Sequence, residues 1–217
     1  MADQARLYHK DRQADETLRW MTRASAFVLG YHGCDMVTGE KVLAGKAHLR
    51  SSENDYDWLG SGIYFWENSA RRALDWAKFA RDNPQLTRAR IREPFVVGAI
   101  IDLGICLDLL EAESIAVVAK GYQRMRESYE AAGARMLENK RIGGDLVIRR
   151  LDCAVINYIQ VAREQEGEPA FDSVRAPFIE GSPLYENAGF HERTHIQICV
   201  RKPERIIGYF RPLLPDL

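Results

Sequence analysis

The apolar runs of this chain are short, and they do not alternate regularly with helical stripes. Residues 26–31, 63–66, 95–103, 194–200 and 206–210 read as strands, because brief apolar stretches bounded by Gly, Pro or charged residues suit a sheet interior. The two longest helical stripes instead follow one another, over 112–132 and 145–166. Regular strand–helix alternation builds a doubly wound parallel sheet, and its absence points to the α+β class.

Between these runs the local chemistry sets boundaries. Leu18, Trp20 and Met21 among charges predict an amphipathic N-terminal helix over Asp11–Ala24, within residues 1–25. Residues 35–59 read as an irregular polar loop, with Gly39, Gly45 and Ser51–Asp55, of the kind suited to a lid. Asn68 or Ser69 caps a helix reaching about Arg81, whose stripe is Ala70, Ala73, Leu74, Ala77 and Ala80. Asn83-Pro84 ends it. Ile115, Val118, Ala119, Tyr122 and Met125 share one face of the 112–132 helix. Ile148, Leu151, Val155, Tyr158 and Ile159 share one face of the 145–166 helix. Ser173–Ile179 reads as extended, and Gly181-Ser182-Pro183 and Asn187-Ala188-Gly189 as turns. Residues 1–217 show no repeat or linker and are read as one domain.

Composition removes several function classes. Lys and Arg number 30 against 31 Asp and Glu, so no global charge draws the chain to nucleic acid. The Arg residues at 71, 72, 88, 90, 92, 149 and 150 read as solvated faces. Cys34, Cys106, Cys153 and Cys199 have neither paired nor zinc-type spacing. Cys106, Cys153 and Cys199 sit among apolar residues and read as buried free thiols, which fits a reducing compartment. Met1–Thr17 lacks the apolar core of a signal peptide, and the longest apolar stretch, Phe95–Ile101, is too short to span a bilayer. The expectation is a cytoplasmic protein with no membrane partner. There is no Walker loop, HExxH or nucleophile elbow. Cys34 beside His32 has no orienting acid, which argues against a cysteine hydrolase.

One conjunction stands out. Tyr31-His32-Gly33-Cys34 closes the first apolar run, and Leu59-Gly60-Ser61-Gly62-Ile63-Tyr64-Phe65 opens the second. Together they resemble the nicotinamide pocket of ADP-ribosyltransferases of the diphtheria-toxin and PARP type. The resemblance implies an ADP-ribosyltransferase-like α+β fold: a split β-sheet core of two packed small sheets with flanking helices. It leaves residues 105–166 as a helical insertion. It also implies NAD as co-substrate.

Site roles follow from the resemblance by position. Gly33 offers its backbone to the carboxamide, and His32 hydrogen-bonds the adenosine ribose. Tyr64 stacks on the nicotinamide ring, and Gly60 and Gly62 permit the tight entry to its strand. Trp76, at a one-residue shift, is the candidate second aromatic. Arg72 falls near the position of a small hydroxyl residue whose contact it cannot reproduce. The family's late-strand glutamate falls on Gln197, with His195 as an alternative, so the acid is missing. A glutamine can hydrogen-bond a ribose hydroxyl but cannot act as a base. Glu180, Glu186 and Glu192 are candidate substitutes, with Glu192 nearest in sequence. His191 and His195 are candidates for proton transfer. Tyr185 and Phe190 are candidates for stacking on an acceptor.

The implied activity is mono-ADP-ribosyl transfer to a macromolecular acceptor, protein or nucleic acid. Polymer formation is not expected, because elongating members keep the glutamate. By analogy the chain suits a bacterial toxin or phage-defence effector with a neutralising antitoxin protein. Two rivals share the distant fold or the ligand. RNA 2′-phosphotransferases need an Arg and His set that is not found here. A catalytically inactive NAD or ADP-ribose-binding module fits the missing acid.

Overall fold

A computed structural model describes residues 27–85, 90–142 and 145–213. The expected N-terminal helix lies outside them. The fold is α+β, and the described residues form one large mixed sheet, a separate hairpin and four α-helices.

The strands are β1 (Val28–Asp35), β2 (Ile63–Glu67), β3 (Pro94–Ile101), β4 (Cys106–Asp108), β7 (Ser173–Phe178), β8 (His195–Val200) and β9 (Ile206–Phe210). Strands β5 (Asn139–Ile142) and β6 (Asp145–Arg149) form the hairpin. The helices are α1 (Met36–Leu43), α2 (Ala70–Asp82), α3 (Ala112–Ala131) and α4 (Arg150–Gln165). The sheet runs β4-β7-β8-β2-β1-β3-β9, antiparallel except for β4 with β7.

Two small packed sheets were expected, and the structure joins the strands in one. The join is narrow. β1 pairs with β3 along all eight residues, but with β2 only at Gly30–Glu67 and Tyr31–Trp66. Beyond Tyr31 the two strands no longer form a ladder, so the sheet is split along part of its length at His32 and Gly33.

Strand parity sorts the core into two faces. Ile63 and Phe65 of β2 face the same side as Val97, Ala99, Ile101, Ile198 and Val200, where α1 and Leu49 cover them. Tyr64 and Trp66 point to the opposite side. There α2 covers Tyr31 and Val96. Helices α3 and α4 cover Val174, Ala176 and Cys199.

Helix α2 forms where its apolar stripe predicts. The Ser69 side chain accepts from Arg72 N, so of the two expected residues Ser69 is the cap, and Asn68 before it takes a left-handed turn (φ 51°). Three local readings need correction. Residues 36–43 are helical rather than irregular: Asp35 caps Val37 N while its other oxygen takes Arg92 N and Glu93 N. Gly39 in that helix has a packing reason, because a Cβ would lie 2.2 Å from the Phe95 ring. The second correction is at 145–149, which is strand; α4 begins only at Arg150. Asn139 Oδ1, from the neighbouring strand, accepts from Leu151 N and Asp152 N and so caps α4 from a distance. Lastly, segment 105–166 is not helical throughout: it contains the hairpin, and its β4 joins the main sheet.

Candidate functional site

The turn before β2 is built for close approach. Gly60 has φ +78°, and a Cβ there would meet Asn157 Oδ1 at 2.7 Å. A Cβ on Gly62 would lie 2.5 Å from Cys199 Sγ on β8. Asn157 of α4 accepts from Ser61 N and from Arg201, which also donates to Ser61 O at 2.9 Å. Ser52 and Gly62 exchange both backbone bonds, and Asp57 accepts from Asn54. The expected lid segment is therefore fastened down at Ser52 and Asn54.

This frame fixes Tyr64. Its hydroxyl donates to Gly60 O at 2.8 Å and accepts from Leu59 N at 3.0 Å. Burial pushes the phenol well above its usual range. Its backbone carbonyl accepts from His32 Nδ1 at 2.8 Å, so a side chain bridges the strands where the ladder has stopped. A carbonyl only accepts, so Nδ1 carries the proton and Nε2 holds the lone pair. Burial lowers the His32 pKa and favours this neutral form. Gly33 sits under α2 so closely that a Cβ would be 2.2 Å from Ala73 O.

Gln197 lies directly opposite Trp66 in the β2–β8 register, on the face that carries Tyr64. Its Oε1 accepts from Trp58 Nε1 at 2.9 Å, which leaves the Nε2 amide donors facing outward from that bond. Trp58 is a site residue that sequence reasoning did not single out; its indole just before the Gly60 turn was the available signal. The Arg149 guanidinium lies 4.4 Å over the Trp58 ring and pairs with Asp152 at 2.7 Å. Trp58 also edges a cavity of about 360 Å³ lined by Leu59, Val118, Tyr122, Arg149 and Val155. Trp76 packs on Trp66, with ring centroids 5.8 Å apart, rather than beside Tyr64.

The loop acids differ in placement. Glu192 is exposed, and its carboxylate takes Ser182 N within the loop. Glu186 is exposed near the loop tip. Glu180 is partly buried and pairs with Arg72 of α2 at 3.3 Å, with burial raising its pKa. Of the three it is the one tied to α2, beside the sheet face that carries Gln197. His191 is spent on Gly181 O, and His195 is buried beside Phe178. The loop is a hairpin pinned at its base, where Asp145 takes Gly181 N and Arg193. Tyr185 and Phe190 are 61% and 68% exposed on it.

The four cysteines are free and buried. Burial pushes the Cys34 thiol up to about 12, which removes it as a nucleophile near neutrality. Among the described residues no His, Cys, Asp and Glu group is arranged to hold a metal, and no helix is long and apolar enough to cross a membrane.

With this geometry in hand, comparison with known proteins adds one relative. The chain is similar to "Uncharacterized protein MJ0359" of Methanocaldococcus jannaschii, 29% identical over 193 residues, covering 81% of this chain and 83% of the relative. No family model matches the chain. No solved structure matches it.

Proposed function

We propose that the chain is a mono-ADP-ribosyltransferase, of the ADP-ribosyltransferase-like α+β fold, that moves ADP-ribose from NAD to a macromolecular acceptor. The observation that carries this reading is the split itself. The sheet stops pairing at the two motifs that resemble a nicotinamide pocket, so His32, Gly33 and Tyr64 meet where the β1–β2 ladder ends, with Gln197 on the face that carries Tyr64.

The residues fit the chemistry of NAD cleavage. Departure of nicotinamide leaves oxocarbenium character on the ribose, so rigid positioning is the main requirement. Tyr64 supplies an aromatic ring whose hydroxyl is already held at Gly60 and Leu59. Gly33 supplies the backbone groups that the resemblance assigns to the carboxamide, along the edge of β1 where pairing with β2 has stopped. His32, with Nδ1 committed to Tyr64 O, offers Nε2 to a ribose hydroxyl. Gly62 lets β2 approach β8, and Trp76 backs Trp66. Gln197, with Oε1 taken by Trp58, presents its Nε2 donors to the ribose oxygen. Glu192, fixed to Ser182 N, serves the loop rather than the ribose. A toxin or defence role with a neutralising protein partner rests on analogy with the family.

The rival is an NAD or ADP-ribose-binding module without catalysis, favoured by the amide at 197 where the family has an acid. Nicotinamide release from NAD separates the two. The transferase releases nicotinamide when lysate is added, and protease or nuclease pretreatment removes the dependence on one acceptor class. NAD binding without release in any fraction identifies the module, and no NAD binding sinks both. Gln197→Glu places a carboxylate that accepts from Trp58 and from the ribose at once. Its expected effect is a rise in NAD hydrolysis of about tenfold or more.

A further inference from the structure

Helices α3 and α4 touch closely at one point and part beyond it. A Cβ on Gly121 of α3 would lie 2.4 Å from Ile159 Cγ1 on α4, so the glycine permits that contact. One and two turns back along α4, at Val155 and Leu151, the helices instead leave the cavity of about 360 Å³. Leu59, Val155 and Ile156 are buried and form its floor. Leu109, Val118, Tyr122 and Leu151 are half-buried and form walls that solvent reaches.

The polar groups of the cavity are few and mostly committed. Trp58 Nε1 is spent on Gln197 Oε1. Asp152 accepts from Asn139 Nδ2 at 2.8 Å and from Arg149 Nε at 2.7 Å, one bond to each oxygen. The Arg149 side chain is 22% exposed, and among the described residues its hydrogen bond runs through Nε. This leaves the end-on edge of the guanidinium, formed by Nη1 and Nη2. The Trp58 and Phe178 rings, 4.4 and 4.9 Å away, hold the guanidinium in place.

That edge sorts guests. It carries donors only, so it refuses an ammonium. A hydroxyl or amide brings one oxygen to it, whereas a carboxylate matches both N–H groups in parallel. The mouth also lies at the first turn of α4, whose dipole favours a negative guest. Arg149 is a single cation, and Arg150 beside it is paired with Asp55. One negative charge therefore suits the site better than the nearly two of a phosphate monoester. The aliphatic walls set the rest of the guest. An apolar cavity of about 150 Å³ takes benzene, so one of about 360 Å³ takes roughly ten to fourteen heavy atoms.

We propose that this cavity binds a medium-chain aliphatic monocarboxylate, with its carboxylate on the Arg149 fork and its chain between α3 and α4. The site goes beyond the transferase reading and stands whether or not that reading holds. Trp58 belongs to both places, because its indole lines the cavity and holds Gln197.

The test titrates the full chain with octanoate, and with octan-1-ol as the control that keeps the chain and lacks the second oxygen. Calorimetry is expected to show one octanoate per chain, bound about tenfold tighter than octanol or better. In ¹⁵N-labelled protein the Trp58 indole N–H, identified through Trp58→Phe, shifts as octanoate is added. Arg149→Lys keeps the charge without the fork and weakens octanoate about tenfold, with octanol unchanged. Ala119 is exposed on the rim of α3, and Ala119→Trp fills the mouth and removes both ligands. If Arg149→Lys does not fold, Ala119→Trp and the octanol comparison decide. Absence of octanoate binding overturns the proposal, and so does equal affinity for octanol, because the fork then reads nothing. Binding that leaves the Trp58 resonance unmoved, or that survives Ala119→Trp, lies elsewhere on the protein and overturns it too. Displacement of octanoate by NAD also overturns it, since the cavity then belongs to the dinucleotide, and that outcome leaves the transferase reading intact.

Discussion

At the scale of single residues, Tyr64 does two jobs that one substitution separates. Its hydroxyl closes the turn through Gly60 O and Leu59 N, and its ring is the surface proposed to stack on nicotinamide. Tyr64→Phe strands the buried Leu59 N–H, so stability falls by about 1–3 kcal/mol while the ring remains. Urea denaturation measures the loss, and calorimetry with NAD shows affinity within about twofold of wild type if stacking is the ring's role. Trp58→Phe is the complementary change. It releases Gln197 Oε1, and turnover falls more than NAD affinity if the amide is held by Trp58 for the ribose.

Residue-level chemistry was partly legible in the sequence. His32, Gly33 and Tyr64 were singled out from their motifs, and the structure brings them to one place. Gln197 was placed by resemblance and lies on the same face. Trp58 was missed because nothing local says that an indole at 58 meets an amide at 197. The cavity beside Trp58 was equally hidden, since its walls come from segments far apart in sequence.

Among the elements, α2 against β1 is the contact with least tolerance. Gly33→Ala sets a methyl carbon 2.2 Å from Ala73 O, a helix backbone atom that cannot swing aside. The expected cost is about 1–3 kcal/mol, read as a lower urea midpoint, with NAD binding impaired as α2 moves off the strand. Element boundaries show why periodicity alone falls short. The stripe from Ile148 to Ile159 reads as one helix, but its first residues pair with β5 and the cap for α4 is Asn139 on that strand. A three-residue strand such as β4 carries no readable pattern at all. Helix α2 was legible because its stripe, its cap and its stop are all local.

For the whole molecule, pH tests the two buried histidines. His32 and His195 both have pKa values lowered by burial from the ordinary 6.5. The unfolded chain therefore binds protons first as pH falls below that value, and folding stability is lost from there down to the folded pKa. The urea midpoint is expected to drop as pH falls below about 6.5, and His195→Phe to reduce that drop. An unchanged dependence in the variant removes His195 from the account.

The narrow join between β1 and β2 has a mechanical consequence. Two residue pairs, the Asn68 N–H to Leu29 O bond just past β2 and the His32–Tyr64 bond link strands that are otherwise paired to separate neighbours. The sheet thus has a hinge line, with β1, β3 and β9 as one leaf and β2, β8, β7 and β4 as the other. A small rotation of the leaves widens the slot between Gly33 and Tyr64 while every other ladder stays closed. The imidazole at that line has two ends, so His32 keeps the latch closed through Nδ1 while Nε2 stays available to a guest.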